Sequence, residues 1–326
     1  MSTELKKIRN IALLGHGGNG KTTLAESILS IAGMTDRMGK VVDGNTVSDF
    51  DAEEIRRKIS ISAATMYANW QGYKINIIDT PGFFDFAGEV RQALRVADLG
   101  IICVSAKDGL NVGAEKSWKY LKEADKPRAI YISKLDEDHA DFDKTFDQLR
   151  AAFGNSVCAL TAPIKDGDKY IGIVDVITKK AYKMDGNKRV DMAVPDSMSD
   201  RLEELYTELA ESAAETSEEL MEKYFETMEL SPEEKSTPAH SSPSLYCTFP
   251  VTGSSLASMP RVLQRDTKKM SRLRGVASPD FHTPSGDMGM FHAFGSEMTV
   301  RLSLIHPSTS AGVPRRPAKC SLRKDL

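Results

Sequence analysis

The stretch Gly15-His16-Gly17-Gly18-Asn19-Gly20-Lys21-Thr22-Thr23 decides the fold, and it follows the apolar run Ile11-Ala12-Leu13-Leu14. It satisfies the pattern GxxxxGK[ST], whose glycines let the backbone fold around phosphate groups. Helix-favouring residues follow over residues 24–32, so the pattern lies between a strand and a helix, where phosphate binding requires it. A glycine-rich turn with a chance Lys-Thr pair would not need these flanking elements. We therefore predict that residues 15–23 bind phosphates, with Lys21 as a point charge and the Thr22 hydroxyl as a ligand of Mg²⁺.

Outside this stretch, apolar strands alternate with amphipathic helices. Strand candidates lie at residues 75–78, 100–104 and 129–132, and helical patterns separate them at residues 90–96 and 114–124. This alternation predicts parallel strand–helix–strand units with helices on both faces of the sheet. Residues 169–182 are strand-rich and residues 200–228 are helical, which is typical of an additional α+β segment.

Two short motifs follow predicted strands. Asp79-Thr80-Pro81-Gly82 comes directly after residues 75–78, where the Asp79 carboxylate could hold Mg²⁺ through water and the Gly82 amide could contact a γ-phosphate. Alone, this sequence is a common turn. Ser133-Lys134-Leu135-Asp136 follows residues 129–132, and a carboxylate there can accept hydrogen bonds from two guanine nitrogens. The order and the strand context of the motifs predict a guanine-nucleotide site.

With these motifs in place, residues 5–235 resemble the GTPase domain of bacterial elongation factor G. Residues 51–64 (DAEEIRRKISISAA) are similar to the first switch of that family, and residues 127–142 (PRAIYISKLDEDHADF) to its guanine-binding segment. Residues 163–184 and the stretch at 211–224 resemble the insertion that distinguishes this family from other translational GTPases. The resemblance implies a P-loop GTPase domain, with a mixed, mainly parallel sheet and an α+β insertion.

The resemblance also implies roles for single residues. Ser60 takes the switch position that contacts Mg²⁺ and the γ-phosphate, so the implied metal ligands are Thr22, Ser60 and Asp79. The implied catalytic positions are Lys21 and Phe83. Ser255, in a small-residue loop, could meet the guanine, although chance accounts for such a loop in a serine-rich segment equally well.

Four residues depart from the family pattern. Ser60 stands where the family has Thr, and its hydroxyl is kept. Gly18 stands where the family has Asp, and Ser133 where it has Asn. Phe83 replaces the His that orients the attacking water, and a phenyl ring cannot do so. We therefore expect GTP hydrolysis to be weak.

Composition excludes several classes of protein. The chain of 326 residues has no run of the ~20 apolar residues that a membrane span requires, and no apolar export core near Met1. Its four cysteines lie far apart without CxxC spacing, which argues against a zinc ribbon or a disulfide scaffold and suits the cytoplasm.

Charge divides the chain near residue 235. Residues 236–326 hold 12 basic and 5 acidic residues, whereas the preceding 235 residues hold 31 and 41. We predict a GTP-binding domain at 1–154, an inserted subdomain at 155–234 and a basic, poorly ordered Ser/Pro-rich tail at 235–326. The tail is either a genuine extension or an out-of-frame translation.

The functional prediction is a Mg²⁺-dependent, GTP- and GDP-binding relative of elongation factor G that hydrolyses GTP slowly. Alternatives are a non-catalytic GTP-binding module on the ribosome and a nonfunctional fragment. The resemblance implies the ribosome as partner, with the acidic residues 200–234 as a contact for its stalk protein, although such charge runs are usually solvated faces. We expect a monomer, without membrane association or sequence-specific nucleic-acid binding.

Overall fold

A computed structural model describes residues 5–167, 169–185, 188–215, 218–227 and 246–250 of the chain. Its strands are β1 (Ile8–Leu14), β2 (Ala64–Trp70), β3 (Tyr73–Asp79), β4 (Leu99–Ser105), β5 (Arg128–Ser133), β6 (Val157–Ala159), β7 (Thr161–Asp166), β8 (Lys169–Asp175), β9 (Lys180–Asp185), β10 (Lys188–Met192) and β11 (Tyr246–Pro250). Its α-helices are α1 (Lys21–Ile31), α2 (Ala52–Arg57), α3 (Ala87–Val96), α4 (Val112–Glu123), α5 (Phe142–Phe153), α6 (Asp196–Ala214) and α7 (Glu218–Thr227). Short 3-10 helices span Leu5–Lys7, Val41–Asp43 and Phe84–Phe86.

The main sheet has seven strands in the order β2-β3-β1-β4-β5-β11-β6. Only β2 runs antiparallel to its neighbour, and the other pairs are parallel. Every residue of β4 and β5 is buried, because helices cover both faces of the parallel strands. The mixed, mainly parallel sheet is therefore confirmed, and the predicted strands fall inside β3, β4 and β5.

Helix starts agree with the capping chemistry of the sequence. The Asn111 side chain accepts a hydrogen bond from the Ala114 amide at 3.0 Å, and this fixes the start of α4. Asp141 caps α5 in the same way through the Lys144 amide. These side chains satisfy amide groups that the first helical turn leaves without partners.

A second sheet follows the main sheet along the chain. Its four strands lie in the order β10-β9-β8-β7 and are all antiparallel to their neighbours. Helices α6 and α7 complete this α+β segment, and an ion pair between Arg150 of α5 and Glu208 of α6 joins it to the main domain. Strand β6, inside the segment predicted as the insertion, belongs to the main sheet, so the two sheets change over at Leu160.

Strand β11 lies in the segment that composition assigns to the tail. Its residues pair in parallel with β5 on one side and β6 on the other, so the chain returns to the main sheet after α7. Ser255, which the resemblance offers as a guanine contact, lies outside the described residues. Among the described helices, none has the length and apolar character needed to cross a membrane.

Proline at position 248 tests whether β11 supports the sheet. Thr248 pairs with both Ile130 and Ala159, and a proline there removes a backbone donor from an interior strand. We expect Thr248→Pro to lower the free energy of unfolding by about 1–3 kcal/mol, the usual cost of a lost buried hydrogen bond. The measurement is urea denaturation of the full chain, with Ser285→Pro as the control far along the sequence. Equal midpoints for the two variants would contradict a role of β11.

Candidate functional site

The phosphate loop of residues 15–20 connects β1 to α1. Gly15 has a φ of +125°, and a Cβ there would lie 2.4 Å from the carbonyl oxygen of Cys103 in β4. Gly82, at the end of the Asp79–Gly82 motif, is equally restricted, since a Cβ would lie 2.4 Å from the Gly17 amide nitrogen and 2.5 Å from Lys21 Nζ. Only glycine lets the loop approach its neighbours this closely. The two predicted phosphate-binding segments therefore meet at the carboxyl edge of the sheet.

Lys21 begins α1 and folds back into the loop. Its ammonium donates hydrogen bonds to the carbonyl oxygens of His16 at 2.8 Å and Gly15 at 3.1 Å. The side chain is 6% exposed, and this burial lowers the pKa of Lys21 although the nearby Asp79 opposes the change. The loop thus encloses a positive charge next to the helix N-terminus, the arrangement that attracts phosphate.

Thr22, Ser60 and Asp79 come together from three separate segments. The Thr22 hydroxyl donates to Asp79 Oδ2 at 2.6 Å, and it lies 3.3 Å from the Ser60 hydroxyl. Burial raises the pKa of Asp79 to about 6, although the hydrogen bond from Thr22 and the charge of Lys21 act in the opposite direction. The three residues predicted as metal ligands therefore form one polar cluster.

Asp49 also belongs to this cluster, although no motif in the sequence predicts it as a site residue. The Ser60 hydroxyl donates to Asp49 Oδ1 at 2.8 Å, and burial raises the pKa of Asp49. The stretch that resembles the first switch of the family begins at Asp51, two residues later. The signal that could have indicated it is an acidic residue in the segment between α1 and β2, which also carries Ser60 after the short helix α2.

The cluster fits a magnesium ion by its donor chemistry. Asp79 Oδ1 and Asp49 Oδ2 are buried and have no hydrogen-bond partner, so each holds lone pairs that a cation could use. Mg²⁺ prefers oxygen ligands, and proteins usually supply one or two carboxylates and leave the rest to water and phosphate. Within the described part of the chain, no group of three His, Cys, Asp or Glu residues could form an all-protein metal cage. The arrangement suits a metal that binds together with a phosphorylated ligand.

The turn predicted to bind guanine follows β5 and contacts the loop of residues 15–20. Ser133 is buried, and its hydroxyl lies 2.9 Å from the backbone oxygen of Asn19, to which it donates. Lys134 has a left-handed φ of 59°, and its ammonium pairs with Glu137 at 3.1 Å. Asp136 is exposed, as a group that meets a ligand from solvent must be.

Phe83 lies beside the phosphate loop. It is 40% exposed, and a Cβ on Gly17 would lie 3.0 Å from its ring. The His16 ring lies 6.3 Å from the Phe83 ring and 6.1 Å from the Phe84 ring, between centroids. The position predicted to carry the water-orienting group thus presents an apolar face at the loop.

Other predicted residues serve the fold. The Thr80 hydroxyl donates to the Leu13 carbonyl oxygen at 2.6 Å, and Thr80 is fully buried. Pro81 is buried as well, and Thr23 is half-buried in the first turn of α1. Gly18, which replaces an expected Asp, has a positive φ of 80° that favours glycine.

The family described as the Elongation factor Tu GTP binding domain matches residues 6–263. The chain belongs to this family. The match extends beyond residue 235, where the resemblance was predicted to end, and it includes β11 and the position of Ser255.

Curated relatives carry the name elongation factor G. Elongation factor G 2 of Pseudoalteromonas translucida is 37% identical over 228 residues, which cover 68% of this chain and 33% of the relative. Elongation factor G 1 of Methylococcus capsulatus is 37% identical over 69% of this chain and 33% of its own length. The chain thus spans about a third of the length of the relatives that it matches.

The fold also matches a solved structure. A crystal structure of a protein from Thermus thermophilus superimposes with a TM-score of 0.72 and 32% sequence identity, covering 76% of this chain and 38% of the other. The predicted P-loop GTPase fold and the predicted resemblance to elongation factor G are therefore both confirmed. The chain carries a GTPase domain of the translational type.

The raised pKa of Asp79 predicts that the free energy of unfolding depends on pH when the protein holds no nucleotide or metal. Because the pKa rises from 3.8 to about 6 on folding, the folded protein holds a proton that the unfolded chain releases, and stability falls as pH rises between these values. We expect Asp79→Asn to raise the free energy of unfolding at pH 8 by about 1–3 kcal/mol and to have little effect at pH 4.

Chemical denaturation in the presence of a chelator measures this difference. Asp108→Asn, at an exposed carboxylate, is the control and should change stability little at either pH. A gain for Asp79→Asn that is the same at both pH values would show that ionisation of Asp79 is not its cause.

Proposed function

We propose that this chain binds GTP and GDP together with Mg²⁺ and hydrolyses GTP slowly. The observation that carries the proposal is the convergence of Lys21, Thr22 and Asp79 at the edge of the sheet, where the Thr22–Asp79 hydrogen bond measures 2.6 Å. The backbone amides of residues 15–20 and the Lys21 ammonium would bind the phosphates. Thr22, Ser60 and Asp79 would hold the metal, and Asp49 would orient Ser60 through their hydrogen bond of 2.8 Å. Bound Mg²⁺ would neutralise charge on the β- and γ-phosphate oxygens.

The proposed guanine contacts lie on the adjoining turn. Asp136 would accept hydrogen bonds from the base, the Lys134 stem would lie along the ring, and Ser133 would join the turn to the phosphate loop. Ser255 remains a candidate for the guanine carbonyl. The parallel pairing of β11 with β5 brings the chain back to this side of the sheet shortly before residue 255, which supports that assignment.

Slow turnover follows from the character of residue 83. Hydrolysis requires an oriented water molecule, and the Phe83 ring offers no hydrogen-bond donor or acceptor. The same residue favours a second candidate, a non-catalytic GTP-binding module. The two functions differ in whether GTP is turned over at all.

We propose the ribosome as partner because the relatives are named elongation factor G. The acidic helices α6 and α7 would offer a contact for a stalk protein. The proposed arrangement is a cytoplasmic monomer with a GTP-binding domain at 1–154, an inserted subdomain at 155–234 and a tail from 235. Strand β11 supports a return of the chain from the insertion to the GTP-binding domain before any tail begins.

Titration with fluorescent GDP tests the ligand. We expect GDP binding to weaken when Mg²⁺ is removed. We also expect GTP, but not ATP, to displace the fluorescent GDP, since a base site built on hydrogen bonds can reject a mismatched base by up to ~10⁴-fold. Asp136→Asn should shift the preference toward xanthine nucleotides, because an amide can donate to the 2-oxo group. Asp138→Asn, exposed and two residues further on, is the matched control and should leave the preference unchanged. Equal competition by ATP would refute the guanine assignment.

Substitution of Phe83 tests turnover. With ribosomes present, single-turnover hydrolysis by Phe83→His should exceed that of the unchanged chain by about 10²-fold or more, the usual contribution of a positioned acid–base group. Phe84→His places the same imidazole one residue away and should not accelerate hydrolysis. Strong ribosome stimulation of the unchanged chain would show that another group positions the water. No hydrolysis by any of the three proteins would favour the non-catalytic module.

A further inference from the structure

Two hydrogen bonds tie the phosphate loop to the ends of the adjacent strands β4 and β5. The side-chain amide of Asn19 donates to the Cys103 carbonyl oxygen of β4 at 2.9 Å. The Ser133 hydroxyl, at the end of β5, donates to the Asn19 backbone oxygen at 2.9 Å and also approaches the Val104 oxygen at 3.2 Å. Asn19 therefore donates a hydrogen bond to β4 through its side chain and accepts one from β5 through its backbone oxygen.

Burial makes both contacts matter. Asn19 is 2% exposed and Ser133 is 6% exposed, so neither group can replace its lost partner easily with water. A buried polar group that loses its partner costs about 1–3 kcal/mol, far more than the same loss at a surface. The Asn19 side-chain amide is directed toward β4, because its nitrogen donates one of its two hydrogens to the Cys103 carbonyl oxygen.

The Cys103 carbonyl oxygen is also the atom that restricts the other end of the loop. A Cβ on Gly15 would lie 2.4 Å from it. The same oxygen thus touches the beginning of the loop and accepts the Asn19 amide near its end. The two contacts hold residues 15 and 19 of the loop against the same carbonyl oxygen. Between them, the Asn19 backbone amide donates a hydrogen bond to the His16 carbonyl oxygen at 3.3 Å.

We propose that Asn19 is a positioning residue that, together with Ser133, holds the phosphate loop in its binding shape before a nucleotide arrives. The sequence shows Ser133 where its family has Asn, and a serine hydroxyl has only one hydrogen to donate. In this chain the Asn19 amide supplies a second anchor from within the loop itself. Asn19 and Ser133 thus together make the contacts that an Asn side chain at position 133 would make alone.

This inference rests on the proposed function and specifies which part of the nucleotide depends on it. Asn19 lies in the loop that cradles the phosphates, and its side-chain amide is directed to β4 rather than to residues 134–136 of the guanine turn. Its loss should therefore weaken the contribution of the β-phosphate and spare recognition of the base. Preorganisation of a loop stabilises the complex because less ordering remains to be done on binding.

The experiment compares the dissociation constants of GDP and GMP for the full-length chain in Mg²⁺. We expect Asn19→Ala to weaken GDP binding about tenfold and GMP binding much less, so that the GDP/GMP affinity ratio falls about tenfold. Asn19→Asp keeps the size of the side chain but cannot donate to Cys103, and it should lower the ratio at least as much. The preference for GDP over ADP should stay unchanged in both variants.

The second measurement is whether the effects of substituting Asn19 and Ser133 on the GDP/GMP affinity ratio are additive. If both hold the same loop, Ser133→Ala in the Asn19→Ala background should lower the ratio little further, since contacts that act as a unit are not additive. Asn76→Ala is the matched control, because the Asn76 amide donates to Asn10 Oδ1 at 2.7 Å between β1 and β3, away from the loop. It should lower thermal stability without changing the GDP/GMP ratio.

Two results would overturn the inference while leaving the proposed function intact. The first is a GDP/GMP affinity ratio that stays unchanged in both Asn19 variants, including the case in which GMP and GDP lose affinity equally. The second is full additivity of the two alanine substitutions. If Asn19→Ala does not fold, Asn19→Asp and Ser133→Ala give the same comparison. Failure of the unchanged chain to bind GDP would instead refute the proposed function, and this inference with it.

Discussion

The hydrogen bond from Thr22 to Asp79 joins the first turn of α1 to the end of β3, and the rest of the site depends on it. It places a buried carboxylate beside Lys21, and the Ser60 and Asp49 pair completes the polar cluster. Burial disfavours the ionised form of both carboxyl groups. Burial therefore imposes an electrostatic cost on these two carboxylates, which the divalent cation of the proposed function would relieve.

The sheet explains how segments far apart in sequence reach this cluster. Parallel strands β1, β3, β4 and β5 all end at one edge, so the loops that follow them meet there. The insertion leaves this edge undisturbed because its antiparallel sheet begins after β6. Strand β11 then lies between β5 and β6 and pairs in parallel with both.

The departures from the family pattern have different physical consequences. Ser60 keeps a hydroxyl, and its bond to Asp49 fixes that hydroxyl near Thr22. Ser133 keeps one contact to the phosphate loop, and the Asn19 side chain joins the loop to Cys103 of β4 by a second hydrogen bond. Phe83 keeps nothing of a histidine's hydrogen bonding and instead packs against Gly17. Ser60 and Ser133 thus each keep a hydroxyl at their positions, whereas Phe83 loses the hydrogen-bonding group of the histidine that it replaces.

The sequence alone determined the strand–loop–helix unit, the main parallel strands and the members of the nucleotide motifs, because short-range patterns and turn chemistry encode them. Only the tertiary structure decided three contacts: the hydrogen bond of Asp49 with Ser60, that of the Asn19 side chain with Cys103, and that of the Thr80 hydroxyl with Leu13. Each depends on which backbone or side-chain atom lies opposite, and residues such as Asn19 and Cys103 are separated by 84 positions. The place of β11 was hidden for the same reason: composition marks a tail, whereas pairing with β5 and β6 requires the folded sheet.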